Sequence, residues 1–121
     1  MPDKPLAWLG SSLEDVRAFP ADARRDAGYQ LRRVQQGSLP SDWKPMTSVG
    51  SGVIEIRVST QLEHRVFYIA KFQEAVYVLH AFEKRTRQTA PRDIDLAKTR
   101  LADLITERAK KSKKPEKGKP K

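Results

Sequence analysis

The stretch 53–82, VIEIRVSTQLEHRVFYIAKFQEAVYVLHAF, decides the fold. Residues 53–59 alternate, with Ile54, Ile56 and Val58 on one side and Glu55 and Arg57 on the other, the period-two mark of a strand with unlike faces. Residues 64–72 (HRVFYIAKF) and 75–82 (AVYVLHAF) are dense in β-branched and aromatic side chains, which a pleated surface accommodates well. Between them Gln73 and Glu74 give a link of hairpin length but lack Asn-Gly or Asp-Gly chemistry. The hairpin is therefore predicted with boundaries that shift by a residue or two.

Outward from this core, residues 6–9 (LAWL) are a candidate first strand. Ser11 or Ser12 can cap a short helix through about Ala18, with Glu14 and Asp15 favourable in its first turn. Pro20 suits the start of a second helix, in which Ala23, Ala27, Leu31 and Val34 form one apolar stripe and Gly37 is a fitting stop. Residues 37–52 read as loop from their Gly, Pro and Ser content. Thr89 and Pro91 open a last helix whose apolar positions Ile94, Ala97, Leu101, Leu104 and Ile105 follow the helical period, with fraying predicted near Lys110. The order β-α-α-β-β-β-α keeps helices and strands apart and predicts an α+β fold, an antiparallel meander with helices on one face. Residues 1–109 are expected to form one domain and residues 110–121 a Lys-rich, disordered tail.

The chain has 121 residues, 24 Lys+Arg against 15 Asp+Glu and a net charge of +9, so a polyanionic partner is expected. That charge is uneven: residues 109–121 carry +6, whereas residues 1–108 carry only +3. With no Cys, disulfides, thiolate metal sites and Cys nucleophiles are excluded. His64 and His80 are the only imidazoles and no carboxylates cluster at ligand spacing, so neither metal nor cofactor is expected. No apolar run reaches membrane-spanning length, and the expectation is a cytoplasmic protein without a membrane partner.

Catalytic motifs are sparse. Gly50-Ser51-Gly52 lacks a third Gly and a following helix, so it reads as a turn feeding a strand rather than a phosphate loop. The cations Arg57, Arg65, Lys71, Lys84, Arg85, Arg87 and Arg92 outnumber Glu55, Glu63, Glu74 and Glu83 across residues 54–92. His80, Phe82 and Lys84 share strand parity and should point to one side. An aromatic ring between an imidazole and an ammonium suits single-stranded RNA, whose bases stack and whose phosphates need cations. The pattern by itself more readily describes a core His80–Phe82 pair ringed by solvated cations.

Several segments resemble the phage-derived, HigB-type toxins of the RelE/ParE toxin–antitoxin superfamily: DWKPM at 42–46, VGSGVIEIR at 49–57, Arg65-Val66 before Tyr68, and above all LHAFEKRTRQT at 79–89. The resemblance spans about residues 6–108, and a helix bearing Asp93, Ala97 and Arg100 follows its most specific segment. It implies a RelE/ParE-like α+β fold, a small antiparallel sheet packed by N-terminal helices and a C-terminal helix. The implied activity is a metal-independent, ribosome-dependent mRNA endoribonuclease. In that chemistry a ribose 2′-OH attacks the adjacent phosphate and releases a 5′-OH, which calls for a base, an acid and cations around the phosphorane.

Position by position, the resemblance makes Arg65 the phosphate-binding arginine and Arg85 the transition-state stabiliser. Relatives often have Lys at the second position, so Arg85 is a fixed cation and Lys84 becomes the candidate for charge neutralisation. His80 is the nearby group whose ordinary pKa, about 6.5, suits acid–base work. Arg57, Lys71, Phe82 and Arg87 are the candidate RNA contacts. Glu55 stands where some relatives carry a basic residue, which leaves the general base unassigned. Arg65 also has Glu55 and Glu63 as structural partners within reach of the hairpin.

The implied partners are a cognate helix-turn-helix antitoxin, the ribosome and mRNA, with operator DNA contacted mainly through the antitoxin. Two alternatives stand beside this reading: a ParE-like gyrase inhibitor without hydrolysis, and a non-enzymatic basic accessory protein that binds nucleic acid through its tail.

Overall fold

A strand buried on both faces needs cover on both, and residues 64–69 form such a strand. The computed structural model describes residues 3–117. Its elements are β1 (Leu6–Trp8), α1 (Ser12–Arg17), α2 (Ala21–Gln35), β2 (Trp43–Pro45), β3 (Val53–Ser59), β4 (Glu63–Ile69), β5 (Val76–Glu83) and α3 (Pro91–Lys117). The strands form a five-stranded α+β sheet in the order β1-β5-β4-β3-β2.

One sheet face, with Ile56, Val58, Val66, Tyr68, Val76 and Val78, is covered by Val16 of α1 and by the α2 stripe Ala23, Ala27, Leu31 and Val34. The opposite face, with Val53, Phe67, Ile69 and Leu79, is covered by Ala97, Leu101 and Leu104 of α3. Helices thus pack on both faces, which corrects the one-face arrangement expected from the segregated order. The physical reason lies in β4, where every residue from His64 to Ile69 is buried, so neither face can be left to water.

The sheet is also mixed rather than antiparallel. The β2–β3, β3–β4 and β4–β5 pairs are antiparallel, but β1 runs parallel to β5. After α1 and α2, three reversals bring β5 back beside β1 in the same direction. Such a pairing is non-local and is invisible in the three residues of β1. A second correction is β2, an edge strand inside the stretch read as loop, which pairs Trp43 with Ile56 and Pro45 with Ile54. Pro is tolerated there because the strand is an edge.

Local signals act as read at several termini. Pro20 precedes α2, and Gly37 follows it with φ +93°. Ser11 stands at the N-cap position of α1 but makes no side-chain capping bond to the backbone, its hydroxyl donating instead to the Asp15 carboxylate at 2.8 Å. Helix α3 continues to Lys117, past the Lys110 where fraying was predicted. Residues 118–121 of the Lys-rich segment lie outside the described residues. Of the predicted α3 stripe, Ile105 is 50% exposed rather than core. No helix among the described residues is long and apolar enough to cross a membrane.

One turn ties the layers together. Arg100 donates from Nη1 to the Leu79 carbonyl at 2.9 Å and from Nη2 to Ser11 Oγ at 3.1 Å, linking α3 to β5 and to the start of α1. Gly10 lies beneath it with φ +55°, and a Cβ there would come within 2.5 Å of the Arg100 guanidinium. Gly10→Ala combines left-handed strain with a displaced Arg100. It is expected to cost about 1–2 kcal/mol, read as a lower urea midpoint with an unchanged slope.

Candidate functional site

Register brings the sequence candidates into two cross-strand rows. Arg57 pairs with Arg65, and Arg65 with Phe82; in the next row Glu55 pairs with Phe67, and Phe67 with His80. Directly opposed residues share a face. A bulge makes this alignment possible on β5: Tyr68 opposes Val78 and Phe67 opposes His80, leaving Leu79 as the extra residue. The bulge resets parity, so His80 and Phe82 join Phe67 on the face covered by α3.

The arginines of the first row are held by acids. Glu55 is 1% exposed; its Oε1 lies 3.5 Å from Arg57 Nε and its Oε2 lies 3.6 Å from Arg65 Nε. Arg65 donates from Nη1 to Glu63 Oε1 at 2.8 Å and to the His64 carbonyl at 3.0 Å. The Arg65 hydrogen bond, with one from Ser59, holds the Glu63 carboxyl below its ordinary range. Arg57 remains partly accessible, with Asp42 at 3.9 Å as its outer partner. Both structural partners foreseen for Arg65, Glu55 and Glu63, are thus engaged.

His80 is 5% exposed. Its Nε2–H donates to the Asp93 carboxylate at 2.7 Å, while Nδ1 is buried without a hydrogen-bond partner among the described residues. Phe82 stacks on the ring at 4.9 Å and 23°, and Phe67 meets it edge-on. His64 occupies the other face, packed on Phe19 at 4.3 Å. Burial pushes the His64 pKa down, partly opposed by the charges of Glu83, Asp22 and Glu63.

A histidine with a depressed folded-state pKa binds its proton more readily in the unfolded chain. Stability is therefore full above the unfolded value of about 6.5 and falls as pH drops through that value towards the lower folded one. Chemical denaturation between pH 8 and pH 5 should show this fall in the wild type and a shallower one in His64→Phe.

After β5 the chain forms a basic loop. Lys84 Nζ donates to the carbonyls of Thr86, at 2.7 Å, and of Arg87, and Thr86 Oγ1 donates to the Gln88 carbonyl. The ammonium therefore organises the loop from inside, and Arg85 and Arg87 project from it. Arg85 is 79% exposed at its side chain, with Glu83 at 3.2 Å as partner. Lys84, Arg85 and Arg92 line a cleft of about 350 Å³ with Phe82 and Asp93.

The candidates thus separate. Arg57, Arg65, His80, Phe82, Lys84, Arg85 and Arg87 gather at one end of the sheet and in the adjoining loop. Lys71 does not: it follows the other end of β4, six residues and ~20 Å from Arg65, where it lies over Phe72. Sequence reasoning gave no role in the site to Asp93 as the His80 partner, nor to His64 and Phe19. Asp93 is marked in the sequence only as part of the family resemblance, because a carboxylate in the first turn of a helix is otherwise explained by the helix dipole.

The family model for phage-derived protein Gp49-like (DUF891) matches residues 14–102, most of the chain. The chain belongs to the Gp49-like family. This family lies within the RelE/ParE-like toxins of toxin–antitoxin systems, and membership implies an antitoxin partner. The Gp49-like region covers both arginine-bearing strands, the bulge, the basic loop and the Asp93 turn, and it ends before the Lys-rich segment. No curated protein matches the chain.

Proposed function

We propose that this Gp49-like protein is the toxin of a type II system, a HigB-type endoribonuclease that cleaves mRNA on the ribosome and needs no metal. The observation that carries this reading is the basic loop beside Phe82. There Arg85 and Arg87 stand free of the core, with an aromatic ring adjoining. In the reaction the ribose 2′-OH attacks the neighbouring phosphate and the 5′-oxygen leaves. Arg85 faces the charge that grows on the phosphorane, Arg87 and Arg57 hold flanking phosphates, and Lys84 keeps the loop in shape. His80, oriented by Asp93, is the residue for proton transfer. Residues 1–109 constitute the toxin domain. The Lys-rich segment 110–121 adds non-specific attraction to ribosomal RNA. A cytoplasmic location accords with that target, and the helix-turn-helix antitoxin supplies the operator contacts.

One observation favours the rival on the same fold, gyrase inhibition without hydrolysis. His80 Nδ1 has no exposed surface, so the imidazole is not presented to a substrate without movement of its surroundings. Induction followed by primer extension on abundant messages separates the two. Discrete new 5′ ends in mRNA are expected; intact messages with double-strand DNA breaks would replace the nuclease by the gyrase reading.

A further inference from the structure

Lys71, which follows the far end of β4 from Arg65, lines a cavity of about 510 Å³ between the end of α2 and the adjoining ends of β3 and β4. The volume suits a small molecule, and the lining has the character of such a site, mostly apolar with a few polar groups. Val34 and Ile54 wall it on the core side, and Leu39, 48% exposed, gives it an apolar rim. Tyr68 lines it too and is 2% exposed. Burial alone pushes its phenol up to about 12, so the group stays a neutral O–H donor, and it has no hydrogen-bond partner among the described residues. A buried hydroxyl left without a partner is costly, and the cavity it lines is where a partner can sit.

The charge of the cavity is one-sided. Lys4 and Lys71 line it, and no Asp or Glu does among the described residues. Lys4 Nζ donates to the carbonyls of Ala70 and Phe72, which leaves one of its three N–H groups for a further acceptor. The carbonyls that close α2 are already engaged: Val34 accepts from the Gly37 N–H, Arg33 from Ser38 and Gln35 from Lys4. Two ammonium groups and a phenol O–H without a counter-anion call for an acceptor with negative charge, while the apolar walls call for a hydrocarbon body. A carboxylate on a short hydrocarbon chain has both. We infer that the cavity between α2 and the β3–β4 ends binds a small apolar monocarboxylic acid. Its carboxylate accepts from Tyr68 Oη and Lys71 Nζ, and its chain lies against Val34, Leu39 and Ile54. The site is remote from the basic loop and stands whether or not the protein cleaves RNA.

The test is an amide NMR titration of the full chain with hexanoate and, separately, with hexan-1-ol and with acetate. Hexanoate should move the amides of residues 34–39, 52–54 and 68–71 and leave those of residues 84–92 in place. Hexan-1-ol lacks the charge and acetate lacks the chain, so each should bind about tenfold more weakly or worse. Tyr68→Phe keeps the ring and removes only the O–H, and should weaken hexanoate about tenfold. Lys71→Gln should bring hexanoate towards the affinity of hexan-1-ol. Four results overturn the inference: cavity amides that do not move, shifts shared equally with the basic loop, hexan-1-ol binding as tightly as hexanoate, or a folded Tyr68→Phe that binds unchanged. If Tyr68→Phe does not fold, NOEs from the hexanoate chain to the Leu39 and Ile54 methyls of the wild type decide instead, and their absence rejects the site.

Discussion

Cleavage of mRNA is expected to fall by about 10²–10³-fold when Arg85→Ala and Arg87→Ala are combined, while the melting temperature stays where it was. Arg85 is 79% exposed at its side chain and has one surface partner, Glu83. An exposed pair of that kind contributes about 0–1 kcal/mol to folding. In the proposed reaction the two arginines offer cationic charge beside the reacting phosphate, which matters most as the phosphorane gains charge. The slope of log affinity against log salt should also shrink by about one unit for each phosphate that the variant leaves unneutralised. The measurement is primer extension in a translation extract, with RNA binding followed across a salt series. Undiminished cleavage by a folded double variant would take the loop out of the mechanism.

The second large effect is on stability. Glu55→Ala should cost about 3 kcal/mol, a fall of roughly 10 °C in melting temperature for a chain of this size. The carboxylate is almost fully buried between the Nε atoms of Arg57 and Arg65. Removing it leaves two like charges facing each other in the β3–β4 pair, where Arg57 and Arg65 are register partners. Arg65 keeps Glu63 at 2.8 Å, which limits the loss but does not neutralise Arg57. Differential scanning calorimetry reads the change directly, and an unaltered melting temperature would show that the triad contributes nothing. The result bears on function too, because Arg65→Ala removes part of the same triad. Loss of toxicity in Arg65→Ala identifies a phosphate ligand only if that variant remains folded.

Much of the fold is legible in the sequence because its signals are local. The stripe Ala23, Ala27, Leu31, Val34 marks α2 through helical spacing, and the alternation from Ile54 to Val58 marks β3 through strand spacing. The β2 edge strand is not, because three residues ending in Pro45 hold no periodic pattern, and their pairing depends on β3 being beside them. In the site, the shared side of His80 and Phe82 is readable from their parity. That parity holds because the bulge falls at Leu79, just before them. Residue order places Lys84 in the loop, but its carbonyl partners depend on a loop conformation that residue types do not specify.

By itself the sequence determined every element but β2, the antiparallel run of β3, β4 and β5, and the excess of positive charge, since each depends on neighbours within a few residues. It also separated the charge of the Lys-rich segment from the smaller surplus on and around the strands. Tertiary structure alone decided the rest: the parallel β1–β5 pair, the helices on both faces, the Glu55 clamp between two arginines, and the His80–Asp93 bond. These interactions join residues brought together by strand pairing and helix packing, so they form only when burial of both sheet faces has set the register.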